Sequence, residues 1–167
     1  MNRRHCLGLG LRLGVLALAT AGPGSRPAWA HEYYAARFTI IHPWCFPTGP
    51  GDLVAPVFMR LLEVSADDRL LGASTEVAER AVLVSPGVAP GADVPARLVD
   101  TLTEGARVVD ALPVPAGQDA DWRAGGSHVQ LHGLKHPLLA GRSYPLVLTF
   151  EKSGRVDATF FVEERLQ

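Results

Sequence analysis

No window between Ala36 and Glu164 combines helical length with a 3.6-residue apolar period and caps, and this limits the chain to strands. Apolar and β-branched residues come in short runs instead. "ARFTIIHPW" (Ala36–Trp44) alternates and is expected to end at Pro43, and "APVFMRLLEV" (Ala55–Val64) follows the turn-rich "PTGPGD". "DRLLGAST", "ERAVLVS", "ARLVDTL", "ARVVDALPV", "SHVQLHGL", "SYPLVLTF" and "VDATFFVEE" continue the series. "SPGVAPGADVP", "PAGQDADWRAGG", "LLAGR" and "EKSGR" read as the turns between them. "STEVAERAV" has room for one helical turn at most. Many short strands at regular spacing predict an antiparallel all-β sandwich or small barrel. There is no internal repeat or low-complexity tract.

The first thirty residues stand apart from this pattern. Arg3 and Arg4 precede an apolar run that ends in Ala28-Trp29-Ala30, the layout of a cleaved export signal. The run is too short for a membrane span and is broken by Arg12. Both a general secretory and a twin-arginine signal fit it. Cys6 lacks a lipobox-like Leu-x-x before it, so no lipid anchor is expected. Cleavage after Ala30 predicts a periplasmic protein, residues 31–167, forming one β-sandwich domain that begins at His31.

The leader holds four arginines and no acid, so the remaining chain carries 12 basic and 17 acidic residues, a net charge of −5. With no basic stripe, a nucleic-acid partner is excluded from the expectations. Only Cys45 remains beyond the leader, so no internal disulfide can form. A lone cysteine in such a strand is most simply a small buried hydrophobe, with a metal ligand as the sharper alternative.

Three histidines fall within "GGSHVQLHGLKHPLLAGRSYPLVLTF" (Gly125–Phe150). Strand alternation puts Val129 and Leu131 on one face and His128, Gln130 and His132 on the other. The simplest expectation is that these three look out into solvent. His128 and His132 are separated by roughly 13 Å along a straight strand, too far to share one ion. His136 precedes Pro137 and should be solvated.

"DDRLLGASTEVAERAVL", "ARVVDALPVPAG", "IIHPWCFPT" and the Gly125–Val156 run together resemble the PCuAC family of periplasmic copper chaperones, from about Phe38 to Glu163. The resemblance implies a Greek-key, cupredoxin-like β-sandwich. It also implies copper(I) as cargo and a copper-accepting partner such as the dinuclear centre of cytochrome oxidase. The family's ligand pattern is a His, ten residues, a Met, twenty-one residues, then His-x-Met. The last His falls on His128, the last Met on Gln130 and the middle Met on Ala106. The first His falls on Val84 if "AERAVLV" anchors the alignment, or on Val94, followed by Pro95, if the spacing is kept. One ligand position of this pattern is kept. Copper(I) selects thioethers and thiolates. Val84, Ala106 and Gln130 supply neither, and Met59 in "PVFMRLL" reads as a core residue.

The predicted mature terminus offers a second donor set. A free amine on His31, together with its own imidazole, would suit copper(II), with His42 or His128 as a further nitrogen. The competing reading of His31 is a chance residue at a frayed end, and of His42 a turn residue before Pro43. No nucleophile elbow, His-Glu-x-x-His or phosphate loop is present, so no enzyme activity is expected. Asp67-Asp68 and Glu163-Glu164 read as solvated charges, and Trp44 and Trp122 as rim or core packing. Two functions remain: a copper-handling protein with an altered or weakened site, or a metal-free β-sandwich that binds a partner as a scaffold module.

Overall fold

The computed structural model describes residues 32–86 and 106–164. Their regular elements are all strands: β1 Glu32–Tyr34, β2 Thr39–Cys45, β3 Val54–Leu62, β4 Asp68–Ser74, β5 Ala78–Pro86 and β6 Ala106–Val109. Then come β7 Leu112–Val114, β8 Ala120–Trp122, β9 His128–Leu134, β10 Ser143–Phe150 and β11 Gly154–Val162. The predicted leader, the loop at "SPGVAPGADVP" beyond Pro86 and the predicted strand "ARLVDTL" lie outside the described residues. No described helix is long and apolar enough to cross a membrane.

The strands hydrogen-bond in the order β6-β5-β9-β3-β2-β11-β10-β4-β7, with β1 added to β2 and β8 to β3. β3 joins the two halves of the fold. Its first half pairs with β9, its second half with β8, and β2 lies along its other side. The all-β cupredoxin-like expectation holds, with one refinement. Every pair is antiparallel except β2 with β11, which run parallel through Phe161↔Trp44 and Val162↔Cys45.

Alternation builds the core. Val57, Met59 and Leu61 of β3, Leu146, Leu148 and Phe150 of β10, and Phe160 and Val162 of β11 are buried in one cluster. Phe38 meets Phe150 edge to face at 4.7 Å. Each such side chain contributes about 1.5–3 kcal/mol through the area it removes from water.

Four local expectations need correcting. β2 does not end at Pro43 but runs on to Cys45. The register with β3 shifts between Ile41 and Trp44, and His42 takes a φ of 50° there. The bulge places Pro43, which has no N–H to give, where the ladder is interrupted. The run Ala106–Val114 is two strands: β6 pairs with β5, while β7 crosses to β4 after a bend at Asp110. Part of the segment read as a turn, Ala120–Trp122, is β8, held by Met59↔Trp122 and Leu61↔Ala120. β1 was not expected; it is tied down by Tyr33, whose hydroxyl bonds the Thr159 side chain and accepts the Thr159 N–H at 2.9 Å.

Candidate metal site

β9 lies between β3 and β5, so both of its edges are paired, and the residues on both of its faces are buried. This overturns the expectation of an exposed histidine face: His128, Gln130 and His132 are 7, 3 and 7 % exposed. His136, beyond the strand, is exposed as expected.

A tight turn sets the orientation of His128. The Gly126 N–H donates to the Arg123 carbonyl at 2.8 Å, and Gly125 sits at φ 77°, the left-handed conformation a type II turn demands at its third residue. The turn brings the Gly126 carbonyl within 3.0 Å of His128 Nδ1. A carbonyl can only accept, so Nδ1 carries the proton and Nε2 keeps its lone pair. Burial holds the His128 pKa below its usual value, while the Gly126 carbonyl works in the opposite direction. The side chain is thus a neutral, oriented imidazole with one nitrogen free to ligate, the arrangement second-shell carbonyls impose on metal-binding histidines. We expect nitrogen-15 chemical shifts of the metal-free protein to show the Nδ1–H tautomer at His128; an Nε2–H tautomer would contradict the Gly126 hydrogen bond.

The groove beside it has a volume of about 320 Å³ and is lined by Val54, Pro56, Phe58, Ala124, Gly125, His128 and Gln130. None of these carries a charge. Phe58 packs on the His128 ring at 5.7 Å and on Trp44 at 4.8 Å, and Trp44 meets Phe46 at 4.9 Å. An aromatic row therefore leads from β2 to the histidine.

Sheet register brings the four positions aligned with the PCuAC ligand pattern onto one face. Val84 is the direct partner of His128 across β5–β9. Val84 also faces Val108 on β6, and Ala106 lies one same-face step beyond, opposite Pro86. Gln130 is the next same-face residue along β9 and faces Val82 and Pro56. The alternative alignment through Val94 and Pro95 falls outside the described residues. His132 shares this face but is opposite Arg80 and Val54, further along the strand. Burial, and secondarily the positive charge of Arg80, lower its pKa. Its Nε2 is buried with no hydrogen-bond partner among the described residues.

Among the described residues, the remaining candidates form no three-donor cluster with His128. His42 lies in the β2 bulge with its Nε2 2.6 Å from Glu163 Oε1, so Glu163 is a hydrogen-bond partner of His42 and not a free solvated charge. His31 is outside the described residues. Cys45 is fully buried, and desolvation, with the nearby Glu163 charge, pushes its thiol up to about 12. It is the small hydrophobe expected and not a thiolate at neutral pH. Met59 is also fully buried, on the core face of β3 opposite to Phe58. Trp122 is buried and Trp44 half-buried, as packing residues. Asp68 is a correction: it is 3 % exposed, not a solvated turn acid. Among the described residues, no three His, Cys, Asp or Glu side chains gather as a metal cluster.

Sequence reasoning missed the groove residues Phe58, Ala124 and Gly125. The pair Gly125-Gly126, one residue before the strand, was the available signal, since such a pair permits the turn that aims His128.

The fold is shared with solved PCuAC domains. The copper-bound PCuAC domain from PmoF2 is 26 % identical with a TM-score of 0.62, covering 80 % of this chain and 98 % of that domain. The apo PCuAC domain from PmoF1 matches at 23 % identity and TM-score 0.63, over 80 % of this chain and 99 % of that one. CuI-DR1885 from Deinococcus radiodurans matches at 20 % identity and TM-score 0.60, with 84 % of each chain covered. Among curated proteins none matches. Over residues 38–162, nearly the whole β-fold, the sequence matches the family described as "Putative lipoprotein LpqE-like", and the chain belongs to this LpqE-like family.

Proposed function

We infer that this chain is an exported, non-enzymatic copper-handling protein of the PCuAC type, whose site has been reduced to a single strong anchor. One observation carries the reading. His128 has its Nδ1–H tied to the Gly126 carbonyl and its Nε2 left to ligate, in a fold similar to a copper-bound PCuAC domain. Export is supported by the Arg3-Arg4 leader ending in Ala28-Trp29-Ala30 and by the lipoprotein description of the family. The cargo is copper, delivered to a copper-accepting protein of the kind exemplified by the cytochrome oxidase centre. Val84, Ala106 and Gln130 offer no sulfur, so copper(I) affinity is expected to be weak for a chaperone.

Copper(I) titration against a competing chelator tests this. His128→Ala should lower the affinity at least about tenfold, equivalent to roughly 1.4 kcal/mol. Tight stoichiometric binding that survives His128→Ala would place the site elsewhere.

A second donor set belongs to the same reading. If cleavage follows Ala30, the His31 amine and imidazole can close a chelate ring around copper(II), joined by His42 or His128. The 2.6 Å His42–Glu163 pair would have to open for His42 to take part. Mass spectrometry of the periplasmic protein should give a mature start at His31, not a chain lipidated at Cys6. Adding one residue before His31 should alter the copper(II) paramagnetic resonance spectrum. An unchanged spectrum would remove the amine from the site.

The rival reading, a metal-free partner-binding module, draws support from the lack of a three-residue donor cluster among the described residues. Absence of binding in both copper oxidation states would make it the better account.

A further inference from the structure

Among the described residues, the donors near His128 are too few to satisfy copper. Among the described residues no donor cluster exists, and both sulfurs, Cys45 and Met59, are fully buried in the core. Yet the His128 ring is oriented through Nδ1, and His128 lines a groove of about 320 Å³. That is on the order of ten times the share of liquid volume held by one water, room for a metal with a ligand of its own.

The groove also has a preference in charge. Val54, Pro56, Phe58 and Gly125 surround His128 and Gln130 with no acidic side chain in the lining. A lone copper(I) ion would bring an uncompensated positive charge into this half-buried, apolar space, which is costly. Copper(I) carrying one thiolate has no net charge, and thiolate is among the soft donors copper(I) selects. A neutral imidazole then completes a two-donor complex without changing that charge.

We propose that His128 captures copper(I) as a thiolate complex: the chain supplies one imidazole, and the sulfur arrives with the metal from a thiol-bearing donor. This rests on the copper-handling reading and names the form in which the cargo is taken. The step is a ligand exchange with no electron transferred. The copper–Nε2 bond forms, one copper–thiolate bond of the incoming dithiolate complex breaks, and the released thiolate takes a proton from solvent. The other copper–sulfur bond is kept. Nε2 is already unprotonated, so His128 itself releases no proton.

The experiment is a copper(I) titration of the full-length, processed protein against a chelator in three arms: no thiol, N-acetylcysteine methyl ester as a small neutral thiol, and a Cys-x-x-Cys peptide. The thiol arms should raise apparent copper(I) uptake at least about tenfold over the thiol-free arm. A response to the small thiol alone assigns free thiols as the source; a response to the peptide alone assigns protein cysteines. X-ray absorption of the adduct should show one nitrogen and one sulfur donor, and the His128 Nε2 nitrogen-15 resonance should shift. These two readouts do not depend on a variant folding. Equal uptake in all three arms overturns this inference but leaves the copper-handling function standing. No uptake in any arm overturns both. An adduct with no His128 shift, or one formed equally by His128→Ala, also overturns the inference.

Discussion

Asp68→Ala is expected to cost about 2–4 kcal/mol of stability, a large share of what a domain of this size has. The Asp68 carboxylate is buried at the start of β4 and accepts three backbone N–H groups: Arg69 at 2.8 Å, Lys152 at 2.9 Å and Ser153 at 2.9 Å. Two of these donors come from the turn between β10 and β11, so one side chain fastens that hairpin to β4. Truncation would leave the donors without their acceptor, and an unmade hydrogen bond to a charged group is the expensive case. Asp68→Asn keeps an acceptor but places an NH₂ against a donor, so it should lose part of the same stability.

The protonation linkage has a definite sign. Burial alone would raise the Asp68 pKa, but the hydrogen bonds from Ser153, Lys152 and Arg69 outweigh it and hold the carboxyl below its ordinary value. A carboxyl depressed by folding stabilises the protein above its unfolded-state pKa, about 3.9. That stabilisation is lost as pH falls below this value and through the folded-state pKa. Urea unfolding across pH should show the wild type losing stability in this acid window more steeply than Asp68→Asn. Asp68→Ala within about 0.5 kcal/mol of the wild type would show that the turn donors find water instead.

Ala106→Met combined with Gln130→Met should raise copper(I) affinity by at least about a thousandfold, roughly 4 kcal/mol. The register sets both positions on the His128 face, one on each side of the Val84↔His128 pair, from which the long, flexible Met side chains would have to reach inward. Gln130 is the next residue after His128 on the same face of β9, and Ala106 projects from the same face two strands away, beyond the Val84↔His128 pair. Two thioethers would then join an imidazole already oriented by Gly126, giving copper(I) three donors of the soft kind it selects. Chelator competition measures the gain, and a nitrogen-15 spectrum checks that the fold is kept. Unchanged affinity in a folded double variant would mean that these positions do not converge on His128. Gln130 is 3 % exposed, so its replacement by Met, similar in length and apolar, should be tolerated by the strand.

The same face shows how far the residues alone could lead. Strands β3, β4, β5, β9, β10 and β11 are legible because each is seven to nine residues long and repeats an apolar or β-branched pattern. β1 and β8 have three residues each, too few for any period, and exist because Tyr33 meets Thr159 and Trp122 pairs with Met59. The bulge at His42-Pro43 was half visible. Pro43 signalled an interrupted ladder, but whether the chain stops or bulges depends on β3 and β11 lying alongside to receive Trp44 and Cys45.

The division at the candidate site has a physical basis. Local spacing dictates which side chains share a face, because the pleat repeats every two residues whatever surrounds it. It therefore placed His128, Gln130 and His132 together, and the missing sulfur at Val84, Ala106 and Gln130 was plain from residue type. Whether that face meets solvent depends on neighbours far away in the chain. β3 and β5 pair with both edges of β9, its histidine face is buried in the fold, and the Arg123–Gly126 turn folds back so that the Gly126 carbonyl holds the His128 ring. The pairing that sets Val84 against His128 and Ala106 on the same face joins segments more than twenty residues apart, a relation that follows from packing the whole sheet and not from any local preference.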